Sequence, residues 1–202
     1  MSLRERKKVA AREALSWAAL RLATERGLEH VRVEDIATEA GVSARTFNNY
    51  FSSKEEAICA IGVDRQLRIR DAILARPAEE PLWEAVTNAV LEQYSGPGEP
   101  DREHLARVRL VMTSPALRGE YLKTHVAVET ALAQGIAERI GADAGRDLYP
   151  RLMAAVVGGA VRVAIGHWMC AGRAEPFLPT LADALNQVAA GMPDLSSDSR
   201  KP

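Results

Sequence analysis

Apolar residues recur at helical spacing along almost the whole chain. Between Arg4 and Arg26 the positions Ala11, Ala14, Leu15, Ala18, Ala19 and Leu22 form one face, and Gly27 follows as a stop. The same reading predicts helices from Val33 to Ala40, stopped by Gly41, and from Ala44 to Phe51, capped by Ser43. A further helix runs from Lys54 to about Ala75, capped by Ser53, with Glu55 and Glu56 at the positive end of its dipole. Beyond it the pattern predicts helices over Pro81 to Tyr94, Asp101 to Met112, Pro115 to Ile140, Asp147 to Ala171 and Pro179 to Ala190. That makes about nine helices, no strands and no repeats: an all-α chain. The tail from Met192 carries Ser, Asp and Pro and reads as disordered.

The segment from Val33 to Glu56 stands apart. Two short helices flank a glycine, which suits the left-handed backbone of a tight helix-helix turn. Ile36, Ala37 and Ala40 supply one apolar face, and Val42, Phe47 and Phe51 the opposing one. Ala37 is small enough to let the helices approach closely. The second helix is then left with Ala44, Arg45, Thr46, Asn48 and Asn49 outside. Arg suits guanine, Asn suits adenine and Thr suits a methyl group or a phosphate, and the DNA major groove admits one such helix.

Charge sharpens this picture. The formal net charge is only −1, yet residues 1–12 hold Arg4, Arg6, Lys7, Lys8 and Arg12 against Glu5 alone. Such an asymmetry fits an anionic partner near the N-terminus, and equally a solvated arm. Cys59 and Cys170 are far apart and suggest free thiols in a reducing compartment, the cytoplasm, with no metal site. No apolar core of a signal peptide follows the basic start. The stretch from Leu152 to Ala171 is apolar enough to raise the question of a membrane span. Arg162, His167 and three glycines within it fit a helix buried in a protein interface better.

The segment also resembles the DNA-binding region of the TetR family of transcriptional regulators. Glu25-Arg26-Gly27-Leu28, Glu34-Asp35-Ile36-Ala37, Gly41-Val42-Ser43, Thr46-Phe47, Tyr50-Phe51 and Ser53-Lys54-Glu55-Glu56 follow that family's pattern in order and spacing, over residues 8 to 60. The resemblance implies that Arg45, Thr46 and Asn49 face the major groove, that the Tyr50 hydroxyl meets a phosphate and that Lys54 meets the DNA backbone. Asn48 stands where the family often has an aromatic residue. Arg32 stands where a capping Thr or Ser is common, which costs a cap worth about 1 kcal/mol and brings a charge within reach of phosphate. The candidate DNA contacts are therefore Arg32, Arg45, Thr46, Asn48, Asn49, Tyr50 and Lys54. Arg4, Arg6, Lys7 and Lys8 are candidates for the minor groove or neighbouring phosphates.

Residues 1–53 read as a DNA-binding domain, 54–191 as an effector-binding and dimerisation domain rigidly joined to it, and 192–202 as the tail. The second region has no phosphate-binding loop, nucleophile elbow or paired metal-spaced histidines, which argues against an enzyme and against a cofactor. His104, His125 and His167 are isolated. Trp83, Tyr94, Leu110, Met112, Leu117, Tyr121, Val126, Met153 and Trp168 form an apolar set that either packs as core or lines a pocket. With the resemblance, Trp83, Tyr94, Met112, Tyr121, His125, Met153 and Trp168 become the candidate effector pocket. Arg107 to Arg118 resembles members with acyl-CoA-like effectors, which would set Arg107, Arg109 or Arg118 against an acidic head group. The small-residue run from Ala154 to Val161, with Leu178, Leu181, Leu185 and Val188, suits helix pairing. The resemblance implies a four-helix contact across a two-fold axis, over about residues 148–190. The expected function is a ligand-responsive repressor, a homodimer on a palindromic operator in double-stranded DNA, released by a small apolar or acyl-type molecule. An activator or effector-free nucleoid-type binder, a small-molecule-binding enzyme and a protein-interaction module are the rivals, and the absence of a paired acid/base or metal motif speaks against the enzyme.

Overall fold

Ser2 opens the first helix by a reciprocal cap: its hydroxyl accepts from the Glu5 amide, and its own amide donates to the Glu5 carboxylate at 2.6 Å. That backbone bond is the main cause that holds the Glu5 carboxyl below the usual carboxylate range. The computed structural model describes residues 2–95, 110–111, 113–170 and 176–192, without the His125 side chain. Among the described residues are eight α-helices: α1 (Leu3–Arg26), α2 (Val33–Glu39), α3 (Ala44–Asn48), α4 (Lys54–Ala75), α5 (Leu82–Tyr94), α6 (Pro115–Ile140), α7 (Leu148–Cys170) and α8 (Phe177–Ala189). A 3-10 turn, Leu28–His30, joins α1 to α2 and was not expected. The helix expected over 101–112 lies outside the described residues, apart from Leu110 and Val111. The described chain contains no strand.

Helix ends follow the local signals closely. Gly27 stops α1 at φ +84°, its amide donating to the Ala23 carbonyl. Gly41 sits at φ +69° between α2 and α3. A Cβ there would meet nothing within 4 Å, so the left-handed backbone alone demands glycine. Ser43 caps α3 by accepting from the Thr46 amide at 3.1 Å, and Ser53 accepts from the Glu56 amide at 3.0 Å. Three expectations shift. α3 ends at Asn48, not Phe51, because Asn49 and Tyr50 donate three residues back, to Thr46 and Phe47, tightening the last turn. α8 begins at Phe177, ahead of Pro179, because proline in a first turn lacks only an amide that has no intrahelical partner. The cap missing at Arg32 is made good in part: the Asp35 carboxylate accepts from the Arg32 amide at 3.1 Å.

The chain divides into two compact units, Met1–Leu67 with Pro100–Val128, and Arg68–Glu99 with Glu129–Pro202. The first has its own core. Leu15, Ala19 and Leu22 of α1 meet Ile36 and Ala37 of α2, Phe47 of α3, Phe51, Ile58 of α4 and Leu117 of α6. The Phe47 and Phe51 rings lie 5.7 Å apart. Ion pairs Arg21–Glu39 and Arg12–Asp64 tie α1 to α2 and to α4.

In the second unit α5 buries Ala85, Val86, Ala89, Val90 and Tyr94, and α8 buries Phe177, Leu181 and Leu185. Phe177 is the hub of an aromatic cluster, 5.5 Å from the Tyr94 ring and 5.4 Å from the Trp168 ring. Arg139, in the last turn of α6, closes the corner after α4. Its guanidinium donates to the carbonyls of Ile73 (3.1 Å), Arg76 (3.0 Å), Pro77 (2.5 Å) and Glu80 (3.1 Å). Beside it Arg76 bonds to Glu80 and holds that carboxyl below its usual range. Four carbonyls lose the guanidinium together if Arg139 goes, and of these Pro77 still accepts from the Glu80 amide at 3.2 Å. Arg139→Ala is expected to cost about 2–3 kcal/mol, read by thermal unfolding. Arg139→Lys should recover only part of it, since an ammonium has no planar fork. A loss below about 0.5 kcal/mol, the level of an ordinary surface substitution, would show that the clamp contributes nothing.

Candidate nucleic-acid interface and effector cleft

The interface is built on α3, a helix of five residues. So short a helix has no stability of its own and borrows it from packing. Phe47 and Phe51, at 0% and 2% exposure, anchor its inner side. Arg45, Asn48 and Asn49 consequently stand on the outer side, all exposed. Thr46 is half-buried, and its hydroxyl lies 2.9 Å from the Ser43 hydroxyl, so it is already engaged. Tyr50 is half-buried against the core of the first unit. Arg32 is exposed at the start of α2.

Lys54 has an internal task. It begins α4, and its ammonium donates to the Leu28 carbonyl at 2.6 Å and the Val31 carbonyl at 2.9 Å, back across the turn between α1 and α2. The basic start of the chain also divides. Arg4, Arg6, Lys7 and Lys8 are exposed on the first turns of α1, which is helical from Leu3. Arg12 instead pairs with Asp64 and lies over the Phe51 ring, 5.1 Å from its centroid. That role was hidden in the sequence, because the partner lies 52 positions away.

The seven candidate pocket residues do not form one group. Trp83 and Met153 meet at an open cleft of about 430 Å³ with Tyr149, Leu152, Val156, Val188 and Ala189. Tyr94 and Trp168 are buried in the aromatic cluster around Phe177. Tyr121 packs against the core of the first unit. Met112 and the His125 side chain lie outside the described residues, as do Arg107 and Arg109; Arg118 is exposed on α6. Tyr149 and Leu152 were missed; the signal that would have found them is an apolar stripe on α7 opposite its buried one.

That second stripe is the other main feature of the second unit. Pro150, Met153, Ala154, Val157, Ala160, Val161, Ala164 and Trp168 form the buried face of α7. Leu148 (75% exposed), Leu152 (53%) and Val163 (60%) lie on another face, together with Val156, Gly159 and Gly166. The helix is long and apolar enough to cross a membrane by length and composition. Its apolar surface, however, is split into one face packed inside the chain and one left open.

Residues 17–58 match the family described as bacterial regulatory proteins, tetR family, and residues 80–193 match the MftR C-terminal domain. The chain is 35% identical over 212 residues to the HTH-type transcriptional regulator TcmR of Streptomyces glaucescens, covering 99% of this chain and 91% of that one. Its fold is similar to that of SmeT, the efflux-pump repressor of Stenotrophomonas maltophilia, solved with triclosan (TM-score 0.62, 16% identity, 90% of this chain and 91% of that chain). It is likewise similar to Thermus thermophilus FadR, solved with lauroyl-CoA (TM-score 0.54, 18% identity, 95% and 98%).

Proposed function

Because this chain belongs to the TetR family of bacterial regulatory proteins, and so is a ligand-responsive DNA-binding transcriptional regulator and not an enzyme, we propose that it is a cytoplasmic repressor that binds a palindromic operator as a homodimer. The observation that carries this reading is the outer side of α3. Arg45, Asn48 and Asn49 are exposed side by side above two buried phenylalanines. Arg and Asn are the residue types that read guanine and adenine edges in the major groove. Thr46, Tyr50 and Arg32 border them and suit phosphate contacts, which set register without reading sequence. Arg4, Arg6, Lys7 and Lys8 add charge on a rigid helix, which suits neighbouring phosphates better than threading a minor groove.

One short recognition helix reads few base pairs, so a dimer with two of them accounts for operator specificity. The open apolar stripe of α7, with α8 beside it, is the surface for the second copy, over about residues 148–190. A contiguous exposed apolar face of this kind marks an interface. The effector is a small apolar or acyl-type molecule bound in the second unit. Support comes from relatives of the same fold solved with lauroyl-CoA and with triclosan. Such a ligand lowers DNA affinity by binding better to a conformation whose recognition helices no longer match the groove spacing. Titration of DNA binding with lauroyl-CoA and triclosan tests that step: a probe shown to bind the protein while leaving DNA affinity unchanged would sink it.

The DNA reading itself is tested by selecting genomic fragments with the purified protein and measuring affinity over a salt series. A palindromic site and a steep salt dependence are expected. Arg45→Ala should weaken binding by about 1–3 kcal/mol, or some tenfold to a hundredfold, and relax the choice of base at one position. An indifferent Arg45→Ala variant would remove α3 from the reading of bases.

A further inference from the structure

Lys54 is the first residue of α4, and the two carbonyls that accept from its ammonium belong to the turn that launches α2. We infer that Lys54 is a positioning residue that braces the helix-turn-helix against the start of α4, and not a phosphate contact; this rests on the DNA-binding reading of α3.

The turn itself shows why. Leu28 and Val31 are buried at 9% and 3% exposure, so their backbone groups have limited access to water. The Leu28 carbonyl accepts the Val31 amide at 3.4 Å, a long bond, and Lys54 at 2.6 Å, a short charge-assisted one. The Val31 carbonyl accepts Lys54 at 2.9 Å. The next residue, Arg32, is the N-cap of α2: its carbonyl accepts the Ile36 amide at 3.2 Å and its amide donates to Asp35. α2 packs against α3 through Ile36, Ala37 and Phe47.

Lys54 therefore connects the N-terminus of α4 to the N-terminus of α2, with α3 next in line. A shift of the start of α4 either breaks two charge-assisted bonds or carries the launch of α2 with it. An ammonium suits this work, because its three donors can bridge two carbonyls that no single backbone amide reaches. Two of those donors are committed to backbone carbonyls of the turn.

The two roles differ in their salt signature. Each phosphate neutralised steepens the dependence of log affinity on log salt by about 0.9; a brace leaves the slope alone. The experiment compares wild type, Lys54→Gln and Lys54→Arg, with Arg45→Ala alongside, on the duplex recovered by genomic selection over a potassium chloride series. Amide hydrogen exchange is followed at residues 31–36, with residues 18–23 of α1 as the internal reference. Lys54→Gln is expected to lose about tenfold in affinity at the wild-type slope, with faster exchange at 31–36 and little change at 18–23. Lys54→Arg, which keeps the positive charge and several N–H donors, should restore most of both. A slope reduced by about 0.9 with exchange unchanged would overturn the inference and make Lys54 a phosphate contact. Unchanged affinity and exchange would show both bonds to be dispensable. The exchange measurement needs no DNA. If wild type recovers no duplex, the DNA reading fails by itself, and faster exchange at 31–36 still supports the brace while unchanged exchange overturns it.

Discussion

Leu152→Glu combined with Val163→Glu is expected to turn the protein into a monomer and to lower its affinity for a palindromic operator by about a thousandfold or more, the low end of the gap between specific and non-specific DNA binding. Both side chains are more than half exposed in the single chain, at 53% and 60%. A carboxylate at either position costs the isolated fold little, since surface substitutions are worth about 0.5 kcal/mol or less. In a paired interface the same two charges would be buried without partners, which association cannot tolerate. The positions are eleven residues apart, close to three helical turns, so they share one face of α7. A monomer keeps one recognition helix and loses the second half-site, so the specific component of binding falls and the salt-dependent component remains. Sedimentation equilibrium reads the oligomeric state, thermal unfolding checks that the monomer is folded, and fluorescence anisotropy reads the operator affinity. A double variant that stays dimeric would move the interface off this face of α7.

Phe47→Ala is expected to destabilise the protein by about 3–5 kcal/mol, the usual cost of emptying a fully buried aromatic site. Phe47 is at 0% exposure and its ring lies 5.7 Å from that of Phe51. The loss has a functional consequence larger than its size in energy. α3 has five residues, and the positions on its outer side are held in place only by what is packed on its inner side. DNA affinity should therefore fall even under conditions where the rest of the chain remains folded. Phe47→Leu keeps most of the volume and is expected to lose about half as much or less. Chemical denaturation measures the stability change, and near-ultraviolet and far-ultraviolet dichroism separate a local from a global loss. A change under about 1 kcal/mol for Phe47→Ala would mean that the site collapses around the gap and that α3 is anchored elsewhere.

Where the chain signals through neighbouring residues, the sequence was readable to within a few residues. Ser43, Ser53, Gly27, Gly41 and Pro115 mark helix ends because capping and left-handed turns are decided within four residues. The helix-turn-helix, its buried phenylalanines and its exposed Arg45, Asn48 and Asn49 follow from the same short-range periodicity. The early end of α3 and the early start of α8 are failures at the limit of that rule, where a tightened turn and a tolerated proline compete with the simple pattern.

What needed the tertiary structure are the interactions between residues far apart in the chain. Arg12 looked like one more basic residue of an N-terminal arm until Asp64 and Phe51 were brought to it. Arg139 reaches carbonyls some sixty positions earlier, and Lys54 reaches back across a turn that the periodicity did not reveal. The apolar candidates in the second region divided into core, aromatic cluster and cleft. A tryptophan has the same hydrophobicity in all three places, and only the neighbours decide which it occupies. Helix type, caps and the exposed row on α3 are local properties of this sequence. The direction of each long cationic side chain, and the division of α7 into a closed and an open face, are set by packing, because flexible side chains and apolar surfaces take their roles from whichever partners the fold supplies.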